Sequence, residues 1–202
     1  MKKIMLGFAL FTSIVLFSAF TLVEKPIEPP TWEIDKGHSS VSFAVRHYFS
    51  NVIGTFDEFD GTLKFDPEDL AGSSVAFSIK IASVNTKNER RDGHLQSADF
   101  FNAEAWPEMK FESTSFSAVG DQYLMKGKMT IRDVTKEVEV PMNFLGQMAH
   151  PRREGAFIGG FSSEFTINRN DYGVGTGNFA ATATIGAEVK VTINLEVSRT
   201  GS

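Results

Sequence analysis

The nine residues Val189-Lys190-Val191-Thr192-Ile193-Asn194-Leu195-Glu196-Val197 alternate without a break, apolar at one parity and polar at the other. Successive side chains on a strand point to opposite faces, so this period of two predicts a strand with one buried and one wet side. Seven further segments carry the same signature. Val75, Phe77, Ile79 and Ile81 alternate around Lys80, and Val41, Phe43, Val45 and Phe49 share a face against Ser42, Ala44 and Arg46. The stretch Gly54–Phe65 holds Phe56, Phe59, Leu63 and Phe65, and its change of spacing between Phe56 and Phe59 predicts a bulge or bend. Met109 and Phe111 alternate with Lys110 and Glu112, while Tyr123, Met125, Met129 and Ile131 alternate with Lys126, Lys128 and Thr130. Val138, Val140, Met142 and Phe144 form another file, as do Phe157, Phe161, Phe165 and Ile167. Asp66-Pro67-Glu68-Asp69, Gly120-Asp121 and Arg132-Asp133 supply turns between them.

Eight strands joined by short turns, with no helical period of any length, predict an all-β fold: an eight-stranded antiparallel up-and-down barrel. Closure removes exposed edges and leaves every strand one wet face. A two-sheet sandwich is the competing architecture, because alternation alone does not show closure. An outer-membrane barrel is excluded by the polar parity. Lipid-facing charges cost roughly 2–4 kcal/mol each near the bilayer midplane, and that face here carries Lys80, Lys110, Glu112, Lys126, Lys128, Glu137, Glu139, Lys190 and Glu196.

One segment breaks the rhythm: Arg90 to Asn102, RRDGHLQSADFFN. Ser97 reads as a helix N-cap with Asp99 in the first turn, and Pro107 ends the helix by restricting Trp106. The expectation is a short helical insertion around residues 87–105 that plugs one end of the barrel with Phe100 and Phe101 pointing in.

The 202 residues suit one domain, placed at 31–199. Lys2 and Lys3 precede an apolar run from Ile4 to Phe20, the pattern of a signal peptide over residues 1–21. Retention as an uncleaved anchor is the competing reading, because about 17 apolar residues is the short limit for a span. Residues 22–30, with three prolines in Glu24–Pro30, read as a stiff linker. Without Lys2 and Lys3 the 20 basic residues become 18 against 25 acidic ones, a balance that argues against a nucleic-acid partner. The chain has no cysteine and so relies on its core alone. Its 19 phenylalanines, against two tryptophans and three tyrosines, suit an interior.

The inward files mix sizes. Ser113 and Ser115 share parity with Phe111, Gly127 with Met125, and Gly159 and Ser163 with Phe161. Small residues between large ones either fill a taper or leave a lumen walled by soft Phe and Met surfaces. An open lumen would be lined by Phe43, Val45, Phe77, Ile79, Ile81, Phe111, Met125, Met129, Phe161 and Phe165, with Phe100 and Phe101 from the insertion.

Several strings resemble the YceI-like, lipocalin-like family. Trp32-Glu33-Ile34-Asp35, His38-Ser39, Phe43-Ala44-Val45-Arg46-His47 and Gly54-Thr55-Phe56 resemble its N-terminal signature. Arg91-Asp92-Gly93-His94-Leu95-Gln96-Ser97-Ala98-Asp99-Phe100-Phe101 with Trp106-Pro107 is similar to its most distinctive stretch, and Asn168–Gly173 and Ile185–Val189 to its C-terminal part. The likeness runs collinearly from about Trp32 to Val197. It implies an exported, periplasmic bacterial protein whose barrel channel holds a polyisoprenoid, an isoprenoid quinone, a fatty amide or a similar long-chain amphiphile. Gln96 and Asn102 depart from the family pattern, where an arginine and an acid are common.

Polar clusters at strand ends suggest that Arg46, Asn85, Arg91 and Asp92 ring one mouth and hold a head group; a purely structural role for Arg91 and Asp92 is the rival. Arg169 reads as a tie between a loop and the barrel, with Gly173 permitting the turn. His38, His47, His94 and His150 are dispersed, so neither a metal nor a cofactor is expected. The chain is expected to be a non-catalytic carrier. The alternatives are an isomerase or cyclase using His94 and Asp92 as acid and base, and a structural or stress protein with a filled core. A homodimer is allowed for.

Overall fold

The computed structural model describes residues 28–201, so the signal peptide read at 1–21 and most of the linker lie outside the described residues. Eleven strands form one sheet: β1 (Thr31–Ile34), β2 (Ser40–His47), β3 (Ser50–Phe56), β4 (Phe59–Lys64), β5 (Ser74–Lys80), β6 (Val84–Asn85), β7 (Glu108–Val119), β8 (Gln122–Ile131), β9 (Val134–Ala149), β10 (Ala156–Asn168) and β11 (Ile185–Thr200). The ring runs β1-β4-β5-β7-β8-β9-β10-β11 and closes through pairing of β1 with β11. All pairings are antiparallel.

The eight staves are thus the eight read from the sequence, two of them interrupted. β2 continues β1 and also pairs with β11, while β4 continues β3. The second interruption falls at Asp57–Glu58, between Phe56 and Phe59. Both rings are buried, and residues three apart on a strand can both point inward only if it bends. Outside the ring, Lys126 reaches Glu139 at 3.0 Å and Lys190 reaches Glu164 at 3.0 Å, exposed pairs that contribute little stability but mark the wet face.

Three local expectations are corrected. In β7 the register slips between Ser113 and Ser115, so the bulged Thr114 inverts parity: Ser115 turns outward and Phe116 turns in to meet Phe65, ring centres 6.0 Å apart. Phe49 does not extend the inward file of β2. His47 pairs with Ser50, leaving Tyr48 and Phe49 as the turn, where Phe49 is fully exposed. The insertion's helix α1 (Glu89–Gln96) starts earlier than read. Asn88 is its N-cap, accepting from Arg91 N at 3.0 Å. Ser97 closes its C-terminal end, donating from both N and Oγ to the His94 carbonyl.

One end of the barrel is stoppered by aromatic rings. Phe65 sits 5.5 Å from both Phe144 and Phe161 and 4.9 Å from Tyr123, centre to centre. Trp32 packs edge-on against Phe161 at 5.9 Å and donates its indole N–H to the Phe65 carbonyl at 3.1 Å. Pro29 and Pro30, read as the end of the linker, dock here: Pro29 is buried and the Pro30 carbonyl accepts from Phe65 N at 3.2 Å. Phe65 is 1% exposed. Phe65→Ala is therefore expected to cost about 3–5 kcal/mol, read as a fall in the denaturation midpoint in guanidinium chloride.

Candidate functional site

Above the stopper the barrel encloses an apolar cavity of about 200 Å³. Eleven of the twelve lining residues expected from the sequence face it: Phe43, Val45, Phe77, Ile79, Phe100, Phe101, Phe111, Met125, Met129, Phe161 and Phe165. Ile81 does not. β5 ends at Lys80 and the chain turns into a short 3-10 helix (Ile81–Ser83), so the Ile81 side chain leaves the inward file and packs with Val41, Phe56, Phe59 and Val84. Val140, Met142, Val191, Ile193 and Leu195 also line the cavity, at inward positions of files the sequence displays. Leu95 comes from α1 and Val174 from a loop, and strand periodicity carries no signal for either.

The glycines of the wall are occupied, not empty. A Cβ at Gly54 would come within 2.5 Å of the Phe43 ring, one at Gly127 within 2.7 Å of the Phe111 ring, and one at Gly61 within 2.9 Å of the Phe77 ring. Each ring therefore lies back against the backbone of a neighbouring strand instead of standing in the lumen. Gly159 serves Trp32 in the same way, at 2.8 Å. Two of the inward serines carry hydrogen bonds: half-buried Ser113 Oγ accepts from Val75 N at 2.8 Å, and buried Ser163 Oγ donates to the Pro141 carbonyl at 2.5 Å.

A second cavity of about 320 Å³ adjoins the first, the two sharing Phe43, Val45, Leu95, Phe100 and Ile185. It is bounded by β2 and β3 (Val45, His47, Val52), by α1 (Arg91, His94, Leu95) and by the 178–185 segment, and it forms the mouth. Of the four residues expected to hold a head group, only Arg91 faces it. Arg91 donates from Nε to Thr86 Oγ1 at 2.7 Å and from Nη2 to the Thr86 carbonyl at 2.8 Å. Asp92 accepts from Thr86 N at 2.9 Å and from Thr86 Oγ1 at 2.5 Å. Thr86 is buried, so this set of bonds clamps α1 to the residue that follows β6. Asn85 donates to Asp57 at 3.0 Å, and this bond with that from Thr55 holds the Asp57 carboxyl below the usual range. Arg46 donates to the carbonyls of Tyr48 at 2.9 Å, Ala183 at 3.2 Å and Thr182.

Arg169 forms the tie read from the sequence. The residue is 4% exposed, and its guanidinium donates to the carbonyls of Val174 at 2.7 Å, Gly186 at 2.8 Å and Ile185 at 3.0 Å. Burial pushes its pKa down. Gly173 takes the left-handed conformation beside it, φ 65°.

His94 bonds Asp99 at 3.0 Å and lies edge-on to the rings of Phe100 and Phe179, while Asp92 is engaged with Thr86. The structure thus does not bring together the acid–base pair His94 and Asp92. Gln96 reaches the Ala82 carbonyl at 3.4 Å, and Asn102 occupies a left-handed turn, φ 52°, that suits asparagine. Neither faces either cavity. Among the described residues, Asp35, His38 and Glu196 bring possible metal-ligating atoms within 4.8 Å of one another. Asp35 and His38 lie at the β1–β2 junction and Glu196 on β11, outside both cavities. The hydrogen bond between Asp35 and His38 lowers the Asp35 pKa and raises that of His38.

Two substitutions separate clamp from wall. Asp92→Ala leaves the Thr86 amide unpaired and is expected to destabilise by about 1–3 kcal/mol in urea unfolding, with uptake of an apolar fluorophore such as phenylnaphthylamine unchanged in the folded fraction. Gly54→Val drives the Phe43 ring off the wall, so fluorophore affinity should drop by roughly tenfold, the weight of about 1.4 kcal/mol of lost apolar contact.

The YceI-like domain family model matches residues 32–197. Protein YceI of Escherichia coli O157:H7 is 37% identical over 179 residues, covering 87% of this chain and 89% of the relative. The crystal structure of BcnA from Burkholderia cenocepacia superposes with a TM-score of 0.73 at 25% identity, covering 81% of this chain and 99% of that one. A polyisoprenoid binding domain from Saccharophagus degradans shares the fold, with a TM-score of 0.59 at 15% identity over 83% of this chain and 98% of that one. On the extent of the match and the identity to YceI, this chain belongs to the YceI-like domain family.

Proposed function

We propose that this protein is a non-catalytic carrier that sequesters one long-chain amphiphilic lipid, of polyisoprenoid, isoprenoid-quinone or fatty-amide type, in its barrel. The observation that carries the reading is the apolar cavity of about 200 Å³, stoppered at one end and continuous with a mouth at the other. Packed interiors hold few voids larger than a water molecule, and an apolar cavity of this size stays dry until an apolar guest fills it. A filled structural core does not leave such a space. Each methylene moved from water into it contributes about 0.8 kcal/mol, so a tail of ten carbons supplies most of the gross affinity before the losses of association are subtracted. The Lys2-Lys3 pair and the apolar run Ile4–Phe20 support export to the periplasm, with residues 1–21 as signal, 22–30 as linker and 31–199 as the working domain.

The test is to produce the full chain, purify it from the cell envelope and analyse its organic extract by mass spectrometry. A long-chain amphiphile in molar proportion to the protein, recovered chemically unchanged after incubation, is the expected result. An empty extract together with failure of the purified barrel to take up geranylgeraniol overturns the carrier. Conversion of the guest that disappears in His94→Ala replaces it with the enzyme.

A further inference from the structure

The turn between β2 and β3 breaks the rules for its position. Its two residues are Tyr48 and Phe49, where a two-residue hairpin turn ordinarily takes glycine or asparagine. Tyr48 is held at φ 50°, a left-handed conformation unfavourable for a bulky side chain. Little burial offsets that cost: Tyr48 is 55% exposed, Phe49 103%, and Ile53 on the outer face of β3 is 68% exposed. The backbone beneath them is nevertheless firmly tied. Tyr48 N donates to the Thr184 carbonyl at 2.8 Å, and Arg46 donates to the Tyr48 carbonyl while also gripping the Thr182–Ala183 segment. The tip is a fixed prong on which the Tyr48 ring leans edge-on against His47 at 4.9 Å and the Phe49 ring stands fully in solvent, and strained backbone of this kind concentrates where it serves a function.

Its place in the fold indicates what it meets. Val45, His47 and Val52 of the same hairpin line the mouth, so a molecule leaving the cavity passes along the inner face of the prong. Among the described residues, β3 is paired along Ser50–Gly54 only with β2, since β6 reaches no further than Thr55 and Phe56. Three exposed apolar side chains are too few for a stable protein interface, which takes about 20–30 residues a side. Aromatic side chains do suit the boundary of a bilayer, where one end of a ring is apolar and the other wet.

We infer that Tyr48, Phe49 and Ile53 dock the mouth of the barrel on a lipid bilayer surface, so that the guest passes between membrane and cavity without crossing water. This rests on the carrier reading for its purpose but not for its test. The full chain is cosedimented with vesicles of phosphatidylcholine, alone and with phosphatidylglycerol, beside Tyr48→Asn/Phe49→Ser and a control, Met148→Ser, at an exposed apolar site near the stoppered end. The expected result is vesicle binding by the unaltered chain and the control. The double variant should lose roughly tenfold or more, as for one aromatic ring withdrawn from an apolar phase. Its uptake of phenylnaphthylamine in solution should be unchanged, because neither altered residue lines a cavity. No vesicle binding by the unaltered chain, or equal binding by the double variant, overturns the inference. So does a dimer in sedimentation that the double variant abolishes, which makes the tip a protein contact. An empty organic extract and failure to take up geranylgeraniol, with vesicle binding intact, defeat the carrier reading and leave the docking surface standing.

Discussion

The structure depends on where its aromatic rings are allowed to go. An eight-stranded barrel is just wide enough for its side chains to fill or to admit one small ligand, and a chain with 19 phenylalanines has ample bulk to close it. The rings are sorted into two places instead. Some cluster around Phe65 and close one end, with Trp32, Tyr123, Phe144 and Phe161 in edge and tilted contact. Others, among them Phe43, Phe77 and Phe111, are laid back over Gly54, Gly61 and Gly127 in the wall. A Cβ at Gly54 would meet the Phe43 ring first, and one at Gly61 or Gly127 would meet a carbonyl of the neighbouring strand as well as a ring, so the vacancy is a property of the glycines as much as of the phenylalanines. Stability and vacancy are thereby assigned to different levels of one barrel. The stopper supplies buried area, and the wall above it supplies room.

The opposite end is held by arginines that donate to main-chain carbonyls. Arg46 serves Tyr48, Thr182 and Ala183, Arg132 serves Phe100 and Gly173, and Arg169 serves Val174, Ile185 and Gly186. Arg91 engages Thr86 through both its carbonyl and its hydroxyl. The reason is geometric. Loops at a barrel rim have left the ladder that satisfies their carbonyls, and buried or crowded carbonyls without donors are costly. A guanidinium presents a planar fork of five N–H groups and satisfies several of them at once from one position. Arg132 additionally lies over the Trp106 ring at 4.9 Å, fixing the segment before Pro107.

That arrangement explains which parts of the molecule were legible in the sequence. Parity along a strand is enforced by a common core, so the eight staves, their inward files and the bend between Phe56 and Phe59 could be read from residue spacing. A bulge has no such signature: Thr114 shifts β7 by one position and exchanges the faces of Ser115 and Phe116, though no residue type announces it. Nor does alternation tell where a strand stops. Phe49 and Ile81 keep apolar parity but lie beyond the last paired residue, one in a turn and one in a 3-10 helix. Asn88 and Ser97 are both good caps, and only the backbone decides which end of α1 each closes. The polar residues were hardest, because the partners of Arg46, Arg91 and Arg169 include backbone carbonyls, which every residue possesses and none reveals. A cluster of charged side chains at a strand end then looks like a ligand site when much of its capacity serves the chain itself.

On the proposed carrier reading, the same distribution would orient an amphiphile without a dedicated head-group contact. Nearly everything that lines the cavity is apolar, and the rings of Phe161 and its neighbours close its far end. A polar group carried to that end leaves water and finds almost nothing to bond, at a cost of about 1–3 kcal/mol or more, while each methylene carried there contributes about 0.8 kcal/mol. Entry tail first follows from those opposing signs alone. The polar end is left at the mouth beside Arg91, His94 and the 178–185 segment, where water competes for every hydrogen bond and arginine donors are already engaged. Discrimination among guests then falls chiefly on the length and girth of the tail against the stopper and the glycine-backed rings.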